Sequence, residues 1–134
     1  MTELVPGLIG ARLIVVTEEH SAKHLGSGNV IVLATPAMIM MMEQTAMRSV
    51  DPLLPVAENT VGTRVNVAHL AATPLGMTVK IRTELLEVDG RRLKFRVEAF
   101  EDQEKVGEGT HERVIVNLDR FQQRLQEKMK SEEA

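Results

Sequence analysis

From residue 61 to residue 118 apolar and polar positions alternate with a period of two, which is typical of β-strands that bury one face. Turn signals divide this stretch. Asp89-Gly90 indicates a tight hairpin, and the segment DQEK at 102–105 indicates a second turn. The pattern therefore predicts four antiparallel strands, at residues 61–70, 77–88, 91–101 and 106–118.

A longer apolar segment ahead of these strands has the features of a helix. Thr35 can cap a helix and Pro36 suits the first helical position. Asp51-Pro52 ends the segment, because the residue before a proline avoids the helical region. These signals predict a helix over residues 36–50.

The predicted helix is apolar over most of its circumference, and only Gln44 and Arg48, one turn apart, supply a polar edge. A helix of this kind has to be buried on nearly every side. Five of the chain's eight methionines lie in it: Met38, Met40, Met41, Met42 and Met47.

Three further segments complete the order of elements. The β-branched run at 11–18 predicts a first strand, residues 20–29 predict a loop, and the charged tail from Asp119 predicts a short helix that frays. With no linker or internal repeat, residues 1–134 form one predicted domain. Its class is α+β, with one antiparallel sheet curved around one long central helix.

A single small sheet cannot cover every side of that helix, and its outer strands would be open edges. Pairing of two chains edge to edge solves both problems, because it makes one continuous sheet with two helices. We therefore expect a homodimer or a higher homo-oligomer. This is the arrangement of the hotdog fold, although the pattern alone does not separate it from other α+β folds.

Composition narrows the class of function. Aromatic residues are only 2% of the chain and the net charge is -3, so neither a base-stacking platform nor a basic nucleic-acid footprint is present. The chain has no cysteine, which excludes disulfides, zinc-thiolate sites and cysteine nucleophiles. The N-terminus does not resemble a signal peptide and no apolar run is long enough to span a membrane, so we expect a cytoplasmic protein with no membrane partner.

Glu43 is the charged residue within the apolar stripe of the helix. Its neighbours three and four positions away, namely Ile39, Met40, Ala46 and Met47, are all apolar. Burying a carboxylate among them is costly unless it holds a proton more readily than usual or has a dedicated partner. The sequence alone leaves open an active-site role, a structural ion pair, and a helix rotated so that Glu43 joins the polar edge.

His69 ends the strand predicted at 61–70, on a face otherwise made of Val61, Thr63, Val65 and Val67. A histidine on an apolar face is more often a core residue with satisfied hydrogen bonds than a functional group. This one, however, closes the strand just before ATPLG, where a strand end meets a cleft. Histidine is also the natural proton carrier near neutral pH.

Thr35 has a complete structural explanation as a helix cap. Its hydroxyl and the free amides of the first turn can also face a ligand, because helix N-termini attract negative charge. Thr35 and Glu43 are separated by about 12 Å along the axis at 1.5 Å per residue. They cannot act on one atom from a single helix, so either the substrate lies between them or a second chain supplies one of them.

Four other positions have simple structural interpretations. Gly62 interrupts a strand, where glycine marks either a bulge or the close approach of a ligand or another backbone. Arg113 could meet a phosphate or a carboxylate, but a solvated strand residue is the simpler reading, and His111 is assigned to the surface. His20 and His24 have metal-like spacing without a third ligand in view, so no metal site is predicted.

Three segments resemble the fluoroacetyl-CoA thioesterase family of hotdog proteins. They are VLATPAMIMMMEQTA, the stretch from Val61 to Phe100, and GEGTHERVIVNLDRF, with HLAATPLGMTV, DGRRL and GTHER as the most specific motifs. The resemblance covers about residues 30–121. It implies a homodimeric hotdog enzyme that hydrolyses small acyl-CoA thioesters without a metal or redox cofactor, coenzyme A being part of the substrate.

Carried over by position, the resemblance implies catalytic roles for Thr35, Glu43 and His69, and substrate contacts for Gly62 and Arg113. Glu43 would attack the thioester carbonyl or activate a water. His69 would orient the carbonyl or protonate the departing thiolate, and Thr35 would hold the thioester or a neighbouring chain's Glu43. The amide of Gly62 would stabilise the oxyanion, and Arg113 would contact a phosphate or the pantetheine.

One departure from the family concerns specificity. The fluoroacetyl-specific enzyme has a phenylalanine lid just before its threonine, whereas this chain has NVIVLAT. We expect an aliphatic pocket, surrounded by the flexible methionines of the helix, that accepts several small or medium acyl groups. Two rival functions are a non-catalytic acyl-CoA binding or sensing module, which would not need Glu43, and an enoyl-CoA hydratase, whose expected Asp and His pair is not seen.

Overall fold

The computed structural model describes residues 3–102 and 104–133. The strands are β1 (Ile9–Val15), β2 (Glu58–His69), β3 (Thr78–Asp89), β4 (Arg92–Glu101) and β5 (Glu104–Asn117). They form one antiparallel sheet in the order β1-β3-β4-β5-β2. The helices are α1 (Ala22–Leu25), α2 (Thr35–Val50) and α3 (Leu118–Glu133). The predicted α+β class, with one long helix against an antiparallel sheet, is confirmed.

The helix-facing side of the sheet forms the core together with α2. The faces predicted for β3 and β4 are correct, because each of their inward side chains is at most 1% exposed. These side chains are Val79, Ile81, Thr83 and Leu85 on β3, and Leu93, Phe95, Val97 and Ala99 on β4. They meet the buried face of α2, which includes Ala37, Met38, Met41, Met42 and Ala46.

Burial of α2 is one-sided within a single chain. Met40 is 42% exposed and the side chain of Glu43 is 39% exposed. The predicted burial on nearly every side is therefore not reached by one copy.

None of the described helices combines the length and the apolar character that crossing a membrane requires.

The start of α2 differs from the prediction. Ala34 is the N-cap residue and makes no side-chain cap hydrogen bond, while Thr35 is the first helical residue. The prediction that Thr35 caps the helix is wrong, since its hydroxyl is directed to another partner. The predicted end is correct, because Asp51 is the C-cap and its amide bonds to the Met47 carbonyl.

Several observed element boundaries also differ from the predicted ones. β1 ends at Val15 instead of residue 18, because a short 3-10 turn begins at Glu18. The predicted loop at 20–29 contains α1, whose N-cap Ser21 accepts a hydrogen bond from the amide of His24. A helix of one turn is too short to produce a recognisable apolar period.

The predicted hairpin between β3 and β4 is present, with its loop shifted by one residue. Asp89 pairs with Arg92, so the loop consists of Gly90 and Arg91. Gly90 has φ +61°, a conformation that side chains with a Cβ rarely adopt. Gln103, in the second predicted turn, lies outside the described residues, as does Ala134 at the end of the tail. The tail helix itself is confirmed as α3, and at 16 residues it is not short.

β2 contains a bulge that the alternation did not predict. Gly62 pairs with Arg113, whereas Arg64 pairs with Glu112, so Thr63 is the extra residue. The bulge switches the alternation, and Gly62 therefore shares the helix-facing side with His69 seven residues later. The prediction that Val61 and Thr63 share a face with His69 is wrong, because both precede the switch.

Candidate active site

The carboxylate of Glu43 lies directly over Gly62. A Cβ built at residue 62 would be 2.7 Å from Oε2 of Glu43, closer than real Cβ contacts. A side chain at residue 62 would therefore displace the Glu43 carboxylate from this position. The interpretation of Gly62 as a bulge position is correct, and the group that approaches it closely is a side chain of the same chain rather than a ligand or another backbone.

Arg113 is the charged partner of Glu43, one of the outcomes that the sequence left open. Its Nη1 lies 3.8 Å from Oε2 of Glu43. The residue is only 5% exposed, so its interpretation as a solvated strand residue is wrong. Its Nε donates to Thr60 Oγ1 at 2.7 Å and its Nη2 donates to the Thr60 carbonyl at 3.0 Å. Burial lowers the pKa of Arg113, while the charges of Asp51 and Glu43 act in the opposite direction.

His111 adjoins this pair. Its assignment to the surface, made from the sequence, is wrong. It is 1% exposed and stacks on the ring of Phe95. Its Nδ1 lies 2.9 Å from the Arg64 carbonyl, which can only accept, so Nδ1 carries the proton. Nε2 is then free to accept from Nη1 of Arg113 at 3.1 Å. Burial, and secondarily the charge of Arg113, lowers the pKa of His111, which agrees with a neutral ring.

A usable signal for His111 did exist in the sequence. It lies two residues before Arg113 on β5, and alternate residues of a strand share one face. A buried Arg113 would therefore have implied a buried His111.

The second group of candidate residues is a hydrogen-bonded pair at the start of α2. Thr35 Oγ1 and His69 Nδ1 are 2.8 Å apart. The Nε2 of His69 is buried and has no hydrogen-bond partner among the described residues. Burial lowers the pKa of His69, and the backbone of Ala71 acts in the opposite direction. A neutral imidazole with one unused nitrogen is therefore available at the N-terminus of the helix.

The two groups do not meet within one chain. Glu43, Gly62 and Arg113 form one group, and Thr35 and His69 form the other. Their separation is about 12 Å along α2 at 1.5 Å per residue. One copy thus presents two halves of the candidate site, both on the helix-facing side of β2.

A cavity of about 360 Å³ opens beside Thr35 and His69. Its described lining is aliphatic or small and includes Val30, Val32, Leu33, Ala34, Leu70 and Ala72. No methionine is among these lining residues, and Met38, Met41 and Met42 are at most 1% exposed within the core. The expectation that methionines of α2 surround this pocket is wrong, since their buried faces pack on the sheet.

Of the two remaining histidines, His24 is exposed and His20 has a structural contact. His20 accepts a hydrogen bond from the amide of Thr17 at 3.1 Å, at the short turn before α1. Within the part of the chain that the structure describes, no three His, Cys, Asp or Glu side chains are grouped to hold a metal ion.

Comparison with known proteins places this geometry in a family. The family model described as fluoroacetyl-CoA-specific thioesterase matches residues 16–119. The fluoroacetyl-CoA thioesterase of Streptantibioticus cattleyicolor is 41% identical over 97 residues, which cover 72% of this chain and 70% of that protein.

Solved structures agree with this result. A structure of a fluoroacetyl-CoA thioesterase has a TM-score of 0.88 at 34% identity, covering 95% of this chain and 98% of the other. A thioesterase superfamily member from Thermus thermophilus has a TM-score of 0.86 at 29% identity, covering 98% of this chain and 99% of the other. A hot-dog-like protein from Thermanaerovibrio acidaminovorans has a TM-score of 0.85 at 26% identity, covering 92% of this chain and 91% of the other. The chain therefore belongs to the fluoroacetyl-CoA-specific thioesterase family and has its hotdog fold.

Proposed function

We propose that this enzyme hydrolyses small or medium acyl-CoA thioesters to the free acid and coenzyme A, with no metal or redox cofactor. The observation that carries the proposal is the position of Glu43. Its carboxylate is the charged group within an apolar helix, lies over Gly62, is paired with a buried arginine, and is still 39% exposed. A group that is both fixed and accessible is suited to attack on a bound substrate.

Glu43 starts the reaction in one of two ways. As a general base it takes a proton from a water whose oxygen attacks the thioester carbonyl. As a nucleophile it attacks that carbon itself, and water then hydrolyses the resulting anhydride. In both routes the C–S bond breaks, and the departing thiolate of coenzyme A takes up a proton.

His69 and Thr35 serve the carbonyl and the leaving group. Thr35 fixes the ring of His69 through Nδ1, and we assign the carbonyl or the leaving thiolate to the buried Nε2, which has no partner among the described residues. The positive end of the α2 dipole lies beside the same pair, and with the Gly62 amide it stabilises the oxyanion. A well-placed donor of this kind is typically worth about 3 to 4 kcal/mol. Arg113 holds Glu43, since its donors are already engaged by protein groups rather than by a phosphate.

A complete site requires a second copy of the chain. β2 is an edge strand of the sheet, and its central residues 63–66 are exposed. Antiparallel pairing of two β2 strands about a twofold axis at Asn66 would, with Thr63 as the extra residue of the bulge, place Gly62 of one chain opposite residue 69 of the other. Glu43 of one chain would then share a substrate with Thr35 and His69 of its partner.

Acyl-chain selection is assigned to the cavity beside Thr35. Apart from Ser27, Thr35 and His69 its lining is aliphatic or small, so it discriminates between acyl groups mainly by volume. One methylene in such a pocket is worth only about 1 to 3 kcal/mol. Activity should therefore extend over several short and medium acyl groups.

A panel of acyl-CoAs assayed with a thiol reagent tests the function. Release of free thiol from several members supports it. Tight binding across the panel without thiol release would identify a sensing module instead, and loss of the enoyl absorbance without thiol release would identify a hydratase. Light scattering tests the assembly, because the composite site requires a mass at least twice that of one chain.

A further inference from the structure

A chain of hydrogen bonds runs behind the Glu43–Arg113 pair and returns to the helix that carries Glu43. Thr60 Oγ1 accepts from Arg113 Nε at 2.7 Å and donates to Asp51 Oδ1 at 2.6 Å. Asp51 directly follows Val50, the last residue of α2. Three elements, α2, β2 and β5, are thereby joined in a closed loop around the candidate site.

The direction of each bond in this chain is determined. A carboxylate only accepts, so Asp51 takes the single hydroxyl proton of Thr60 and leaves an oxygen lone pair for Nε of Arg113. Asp51 is itself fixed on its other oxygen. Oδ2 accepts from Asn59 Nδ2 at 3.2 Å and from the amide of Thr60 at 3.4 Å.

This chain of hydrogen bonds fixes the plane of the Arg113 guanidinium. Thr60 holds Nε and Nη2, and His111 accepts from Nη1. Because a guanidinium is rigid and planar, its three nitrogens move together. Nη1 therefore cannot leave Glu43 unless the contacts with Thr60 break. With Thr60 and Arg113 both 5% exposed, water competes little for these bonds.

We propose that Thr60 and Asp51 are positioning residues for the hydrolytic reaction, which act by holding Arg113 against the carboxylate of Glu43. The proposal rests on the proposed function of Glu43. Neither residue is expected to touch the substrate, since Thr60 is buried behind Arg113 and Asp51 lies behind Thr60. Their loss should misplace Glu43, which lowers kcat, while the binding of acyl-CoA and hence KM should change little.

Thr60→Val keeps the shape of the side chain and removes the hydroxyl. We expect kcat to fall at least about tenfold with KM within about threefold, and Thr60→Ser to recover most of kcat because it restores the hydroxyl. Thr78→Val is the matched control, a threonine at the start of β3, which does not neighbour β2 in the sheet. Thr78 is exposed and lies outside the contacts around Glu43 and Arg113, so kcat should stay at the wild-type level.

Asp51→Asn tests the other end of the chain of hydrogen bonds. It is the test of the positioning role if Thr60→Val does not fold. The two carboxylate oxygens of Asp51 accept from three donors. An asparagine replaces one of these oxygens with an amide group that donates. At least one of those donors loses its acceptor, so kcat should again fall with KM nearly constant. Thermal melting of each variant establishes that the folded state is being assayed.

The result that overturns the proposal is a wild-type kcat in both Thr60→Val and Asp51→Asn. An equal loss in Thr78→Val, or no recovery in Thr60→Ser, would also overturn it. These outcomes differ from failure of the proposed function, in which wild-type protein releases no thiol or Glu43→Gln is as active as wild type. If Glu43→Gln is inactive while the Thr60 and Asp51 variants are normal, only the positioning role fails.

Discussion

The carboxylate of Glu43 occupies space that a side chain at Gly62 would need: a Cβ on residue 62 would be 2.7 Å from Oε2 of Glu43. The carboxylate can lie this close to the strand because residue 62 has no side chain. The backbone of Gly62 does not require glycine, since its φ lies outside the left-handed region. The glycine is thus explained by the position of a carboxylate rather than by a turn.

Gly62→Ala should therefore damage activity more than stability. The added methyl group displaces the Glu43 carboxylate, and displacements of about 1 Å in a catalytic group cost up to a hundredfold in rate. We expect kcat to fall at least about tenfold with a melting temperature near that of wild type. In a Glu43→Gln background the same substitution should have little further effect on the rate. A fall of equal size in both backgrounds would contradict this explanation.

The predictable part of this molecule is the part set by local pattern. The period of two identified the buried faces of β3 and β4, and Asp51-Pro52 identified the end of α2. The need of Glu43 for a partner also followed from its apolar neighbours. The identity of that partner did not, because Arg113 reaches Glu43 only through the pairing of β5 with β2.

Two features were hidden by patterns that look regular. Val61, Thr63, Val65 and Val67 alternate without interruption, so nothing local indicates the bulge that turns the first two to the other face. Similarly, Thr35 before Pro36 resembles a cap, but its hydroxyl bonds to His69, 34 residues away. Both outcomes were decided by contacts between distant segments.

Stability should fall as the pH is lowered below about 6.5. Burial lowers the pKa of both His69 and His111 in the folded chain. The unfolded chain takes up those protons near the ordinary histidine value, so below it the unfolded state binds more protons and is favoured. Melting temperatures between pH 7.5 and pH 5 should decline, and less steeply in His111→Gln. A pH dependence unchanged by that substitution would contradict the assignment to His111.

Complementation between two inactive variants tests whether the site is shared by two chains. Glu43→Gln and His69→Ala should each be inactive alone. In a mixed dimer one site combines the intact Glu43 of one chain with the intact His69 of the other. Random mixing should then restore roughly a quarter of the wild-type activity. If co-refolded mixtures stay inactive although mixed dimers form, both residues act within one chain.

Specificity should be broad and should not favour fluorine. The cavity beside Thr35 has an aliphatic lining and no aromatic residue among its described lining residues. The ratio of kcat/KM for fluoroacetyl-CoA over acetyl-CoA should be well below a thousandfold, which corresponds to about 4 kcal/mol. A larger ratio would mean that a residue outside this cavity selects the fluorinated substrate.

The most direct test of the whole account is the hydrolysis rate of Glu43→Gln beside Glu84→Gln. Glu84 is a matched control, since it lies on the outer face of the sheet, pairs with Arg82 at 3.7 Å, and has a side chain 32% exposed. Loss of the Glu43 carboxylate should lower thiol release at least about a hundredfold, the usual effect of losing a general base, while acyl-CoA binding persists. Glu84→Gln should hydrolyse at the wild-type rate. If Glu43→Gln keeps the wild-type rate, or if both variants lose activity equally, Glu43 is not the centre of the chemistry.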